Sequence, residues 1–289
     1  MSDRPYRHSP LPQRPKLEWP NGARLAVYVA LNVEHYERGK SAIALFQGTT
    51  SFQPDPLNEG WRDYGPRVGI WRLVDAFDRL AMPVTAALNS DACGEYPEIV
   101  AAGVERGWAW VAHGKNNTTL QVGMDEQTER AYLRDVVETI EQATGVRPRG
   151  WLGPALTETP NTPRLLAELG LTYLLDWSHD EQPAPFDAGG APMLTVPYAS
   201  ELNDIPAFVL HHQTGAQFAE AIVDALEVML APAKQPTGLV LGIGVHPFLV
   251  AQPQRIAHFE RALEHVVGRE GVWATTAEAI ADAYLAQAR

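Results

Sequence analysis

One cysteine, Cys93, stands in a chain of 289 residues. No intrachain disulfide can form, and a zinc site built on several cysteines is excluded. Between Ala92 and Gly94, this thiol reads as a quiet, partly buried side chain rather than a nucleophile. Long apolar runs are missing too: no stretch approaches the roughly 20 residues of a membrane span. Met1 to Lys16 mixes Arg, Pro and polar residues without the apolar segment of a secretory signal, so the expected location is cytoplasmic. Positive charge is scarce. Lys and Arg number 23 against 35 Asp and Glu, a net charge of −12. Such a surface repels nucleic acid and anionic membranes, which leaves a small molecule as the expected partner.

What is present is apolar, patterned chain. Hydrophobic residues make up 45% and charged ones 20%, enough for a sizeable core. The prolines from Pro10 to Pro15 make residues 1–18 an extended arm. After the turn sequence Trp19-Pro20-Asn21-Gly22, the run Arg24 to Leu31 reads as a strand buried on both faces. Residues 39–63 are irregular, and a loop of that length is usually functional or disordered. Further strands are expected at 83–88, 108–112, 149–152, 172–175, 238–245 and 272–274. A β-rich insertion is expected through 194–197 and 206–210. Helical spacing falls at 70–80, 97–106, 125–144, 162–169, 216–230, 254–267 and 276–284. Strands alternating with helices imply parallel pairing and right-handed crossovers. Seven or eight such units favour one closed α/β barrel over 19–289. A doubly wound sheet would want a Gly-rich phosphate loop after its first strand, and Asn32 to Glu37 is no such loop.

In α/β barrels the reactive groups collect at the carboxyl ends of the strands. Four ends carry polar side chains: Asn32, Glu34, His35 and Glu37; His113 to Asn117; Asp176, Trp177 and His179; and His246-Pro247. Each has a bland reading beside the chemical one. Glu34 could be satisfied by loop amides, His113 by a carbonyl, and Asp176-Trp177 could be a strand cap with a packed indole. His246 ends a run as apolar as Leu239 to Val245 and has little reason to be there unless it caps a pocket. Adjacent strand residues point to opposite faces, so His211-His212 reads as surface or core rather than a metal doublet.

The series resembles the polysaccharide-deacetylase (NodB-homology) family from about Trp19 to Tyr284. The matching pieces are Trp19 to Arg24, Asn32-Val33-Glu34, Tyr64 to Arg72, His113-Gly114, Arg147 to Trp151 and Pro160-Asn161-Thr162. Val196-Pro197-Tyr198, Asn203-Asp204 and His246-Pro247 complete them. Each piece is weak alone, and their order and spacing are fairly specific. The closest branch contains the metal-independent allantoinases, cyclic-imide hydrolases and unusual peptidoglycan deacetylases. The resemblance implies an irregular (β/α)7-type barrel in a single domain and a homo-oligomer. It also exposes departures. Metal-dependent members end strand one with two aspartates and carry two histidines one helical turn apart after strand three. Here Asn32 and Glu34, or Glu34 and His35, replace the aspartates, and Asn117 stands at the second histidine position.

Two chemistries follow. Without a metal, Glu34 is the general base and His246 the acid. His113, Asn117, Asn203 and Asp176 would then orient the substrate or its oxyanion, and Trp151 and Trp177 would wall the pocket. The reaction would be hydrolysis of a C–N bond in a small cyclic or compact amide, with no cofactor. With a metal such as zinc, Glu34, His35 and His113 would hold it, and the substrate would be an N-acetylated sugar. A third reading keeps the barrel as a ligand-binding protein whose catalytic pair has decayed.

Overall fold

The computed structural model describes residues 4–231 and 238–287. Its strands in chain order are β1 (Leu25–Val33), β2 (Val84–Leu88), β3 (Ala109–Ala112), β4 (Gly150–Trp151), β5 (Tyr173–Leu174), β6 (Ala184–Ala188), β7 (Ala191–Thr195), β8 (Leu239–Val245) and β9 (Val272–Ala274). The helices are α1 (Pro56–Tyr64), α2 (Ile70–Leu80), α3 (Ser90–Glu95), α4 (Pro97–Glu105), α5 (Glu126–Thr144), α6 (Thr162–Glu168), α7 (Gly215–Leu230), α8 (Pro253–Val267) and α9 (Ala277–Gln287). The sheet runs β6-β7-β5-β4-β3-β2-β1-β8, with β9 also on β1. All pairings are parallel except the β6–β7 hairpin. Every residue of β1 and of β8 is buried, because β1 lies inside the sheet and helices cover its outer face.

The expected closed barrel is a curled sheet with a seam. Among the described residues β6 and β8, the two ends of the sheet path, share no ladder. Single contacts cross the gap instead: Val240 N donates to Glu181 O at 2.8 Å and Gly244 N to Leu202 O at 2.9 Å. The chain is therefore an irregular α/β barrel, wide enough at the seam to admit the 198–206 loop.

Differences from the sequence reading include α1, the short helix α3 and residues 206–210. Inside the presumed 39–63 loop lies α1, whose inward residues are Asn58, Glu59 and Arg62 rather than apolar ones, so hydrophobic spacing could not reveal it. Its signal is a cap: Asp55 accepts Asn58 N, and Pro56 opens the helix. Residues 206–210 form a wide helical turn, not a strand. A five-residue apolar run is ambiguous between the two, and Asn203 decides it by accepting Ile205 N at 2.9 Å through its side chain and Ala207 N at 3.1 Å through its carbonyl. The amino-terminal arm lies on the β6–β7 side, where Arg14 pairs with Asp180 at 2.5 Å and Asp187 N donates to Pro5 O at 2.7 Å.

Candidate active site

Parallel strands deliver their carboxyl ends to one mouth. The first residue beyond β1 is Glu34, beyond β2 Asn89, beyond β3 His113 and beyond β8 His246. The ladder carries on past the strands: Asn89 N donates to Val33 O, His113 N to Leu88 O and Leu152 N to Ala112 O, each at about 3.0 Å. These side chains are thus fixed by sheet geometry rather than by loops. Glu34 is 9% exposed, His113 and His246 3% each.

Glu34 is the centre of the cluster. Its Oε1 lies 3.3 Å from His113 Nε2, 3.4 Å from His246 Nε2 and 2.5 Å from Asn117 Nδ2. Tyr36 donates its hydroxyl to the other oxygen. Behind His246, Asp204 is fully buried and takes His246 Nδ1–H at 2.6 Å, while its second oxygen accepts the amides of His246 and Val250.

Proton placement follows from those partners. Nδ1 of His113 lies 2.5 Å from Leu152 O, and Nδ1 of His246 faces a carboxylate, so each Nδ1 bears a proton. The Nε2 that faces Glu34 then carries a proton only if the ring is an imidazolium. Burial alone would lower the His246 pKa, but Glu34 and Asp204 outweigh it and push the ring up to about 10. Burial alone would raise Glu34, but the two imidazoles outweigh it and hold the carboxyl well below the usual carboxylate range. The site is an ion pair, Glu34 anionic and His246 cationic, with Asp204 behind the cation.

Asn89 orients the remaining donors. His35 N–H must meet an acceptor and meets Asn89 Oδ1 at 2.8 Å. The Asn89 amide nitrogen therefore faces His113 O and Asn117 Oδ1, which turns the Asn117 amide nitrogen toward Glu34. Removing this buried amide with Asn89→Ala orphans His35 N–H and Asn117 Oδ1. The expected cost is about 1–3 kcal/mol per orphaned group, read by denaturant unfolding, with a fall in kcat. A second support is Gly69, where a Cβ would sit 2.0 Å from Pro247 O, beside His246. Gly69→Ala is expected to cost about 1–3 kcal/mol by overpacking, with a lowered Tm as the check.

Over this cluster opens a cavity of about 600 Å³, lined among others by Asn32, Tyr36, Tyr198 and Asn203. Over nearly its whole length the chain is similar to the solved structure of Puue allantoinase, 30% identical, with 94% of each chain covered and a TM-score of 0.82. The chain belongs to the polysaccharide deacetylase family. Residues 62–174 match that family's model, Polysaccharide deacetylase. A Pseudomonas aeruginosa PAO1 structure assigned as a probable polysaccharide deacetylase is 30% identical over 95% of each chain, TM-score 0.80. A Schizosaccharomyces pombe relative, itself assigned to the polysaccharide deacetylases, is 27% identical over 93% of this chain and 92% of its own. As a member of this family the chain is a hydrolase of carbon–nitrogen bonds other than peptide bonds. The stretch matched by the family model contains His113 and Asn117 but neither Glu34 nor His246.

The structure brings together Glu34, His113, Asn117, Asn203 and His246, all of which line the cavity. It sets apart four others named from sequence. Trp151 is fully buried in the core, because strand alternation turns it outward under the helices and gives the cavity Leu152 instead. Trp177 leans away toward Tyr6 and Phe186 and donates to Glu158. Asp176 accepts Gly153 N at 2.6 Å behind the cavity wall. His35 turns from the mouth, its Nδ1 3.1 Å from Tyr96 OH. The aromatic walls are Tyr36 and Tyr198 rather than indoles. His211 is on a helical turn, not a strand, and sits at the cavity rim. Asp204, Tyr36 and Asn89 were not singled out for chemistry. Their signal was present, since each is a polar residue adjoining a strand end or the Asn203-Asp204 piece.

The metal-dependent chemistry known in the polysaccharide deacetylases needs at least three ligands around one ion. Asn117 presents N–H to the centre, not a lone pair, and His35 is turned away. Among the described residues no three His, Cys, Asp or Glu side chains are arranged to hold a metal ion.

Proposed function

We propose that the protein hydrolyses a C–N bond in a cyclic or otherwise compact amide or imide, with Glu34 as base, His246 as acid and no tightly bound metal. The observation that carries this reading is the Glu34–His246–Asp204 line, in which a buried carboxylate faces a ring already protonated. Glu34 takes a proton from water as the oxygen attacks the carbonyl carbon, and His246 protonates the nitrogen as the C–N bond breaks. The pair begins as anion and cation and ends as neutral acid and neutral imidazole, so its own net charge is zero throughout, while Asp204 keeps the Nδ1–H and backbone amide donors around it. A carboxylate held this low is a weak base, but it gains basicity as His246 discharges.

Tyr198 supplies the oxyanion contact. Burial raises its pKa, so the phenol stays protonated, and its oxygen already accepts Asn203 Nδ2 at 2.9 Å. The Asn32 side chain also meets that hydroxyl, and the O–H, turned toward a developing oxyanion, would contribute about 3–4 kcal/mol in the transition state. Turnover of allantoin, hydantoins, succinimide-type imides and N-acetyl sugars tests the class. Ring opening of a ureide or imide is the expected result; acetate release from the sugars alone would overturn it.

A further inference from the structure

The cavity is larger than a bare small ring needs. At about 600 Å³ it falls among sites that enclose drug-sized ligands. Its polar atoms gather at the strand ends, while the surrounding loops add Ile43, Leu120, Leu156 and Leu210. Leu156 and Leu210 stand 38% and 66% exposed at the rim. Side chains of this kind gain free energy when an apolar ligand covers them.

Charge narrows the ligand further. Among the described residues no Lys or Arg lines the cavity, and the ionisable groups beyond the catalytic cluster and Tyr36 and Tyr198 are Glu201 and His211. A substrate carboxylate or phosphate would lose its hydration without a guanidinium or ammonium to replace it. It would also face Glu34, Glu201 and a chain of net charge −12, with the His246 cation already shared between Glu34 and Asp204. We propose that the substrate is an uncharged amide or imide bearing an apolar alkyl or aryl substituent, which lies against the Leu156 and Leu210 side of the mouth. This rests on the C–N hydrolase reading of the same site.

Three compounds test it: succinimide, a phenyl-substituted succinimide and a carboxymethyl-substituted succinimide. They are compared as substrates of the native protein and as ligands of the Glu34→Gln protein. The phenyl compound is expected to exceed the parent by about tenfold in kcat/KM and in affinity, since its face leaves water on binding. The carboxymethyl compound should fall below the parent in both. Leu156→Ser with Leu210→Ser should bring the phenyl-to-parent ratio toward unity. A carboxymethyl compound that matches or beats the phenyl one overturns the substrate class. Hydrolysis without preference does the same and leaves the hydrolase reading standing. If none is hydrolysed but Glu34→Gln binds the phenyl compound best, the hydrolase reading falls and the ligand class stands. No binding by any of the three overturns both.

Discussion

Glu34→Gln is expected to lower kcat by about 10²–10⁴-fold, the range that one positioned acid–base group supplies. The substitution keeps the side chain's shape, so the cavity survives and KM should change far less than kcat. A second readout separates chemistry from packing. Glu34 is the larger of the two charges that raise the His246 pKa, so an NMR titration of that ring should move well below about 10 in the variant. An unchanged ring titration with an inactive enzyme would mean that Glu34 is not the partner of the cation. Normal activity would remove it from the mechanism altogether.

Asp204→Asn carries the second large effect. The asparagine can still accept the His246 and Val250 amides, but it no longer presents an anion to Nδ1–H. The ring loses both its charge support and its fixed tautomer, and kcat should fall by about 10²–10⁴-fold, as for other orienting carboxylates. The sign of the pH effect is set by the role. An acid works only while protonated, so native kcat/KM should hold through neutral pH and decline as His246 loses its proton near 10. In Asp204→Asn that decline moves to lower pH. Stability carries the same signature. A ring raised from 6.5 to about 10 contributes stability that is fully present below about 6.5 and lost as the pH climbs to about 10. Chemical denaturation across that range checks it, and a flat profile would contradict the buried cation.

The strand ends were legible in the sequence because parallel strands in an α/β barrel must be apolar through their length and polar where they stop. Val33-Glu34, Ala112-His113 and Val245-His246 each show that break within one residue step. The helices α2, α5, α7 and α8 were legible for the related reason that they bury one apolar face. What stayed hidden depended on polar packing or on direction. Helix α1 buries Asn58, Glu59 and Arg62, so its pattern has no apolar stripe to find. Trp151 and Leu152 are neighbours of similar character, and only the register of a two-residue strand decides which one meets the cavity. Asp204 reaches His246 across 42 residues of chain, a pairing made by the seam between β6 and β8 that no local pattern encodes. The sequence offered Glu34 and His246 as the proposed base and acid, but not Asp204, which accepts His246 Nδ1–H.

In the proposed mechanism Glu34 and His246 move the protons without a tightly bound metal. The most direct measurement is kcat/KM for a neutral cyclic imide or ureide on chelator-treated protein, with metal content determined on the same sample. Undiminished turnover at a metal content far below one ion per chain is the predicted result. Turnover that disappears with the metal and returns on adding stoichiometric zinc would contradict it.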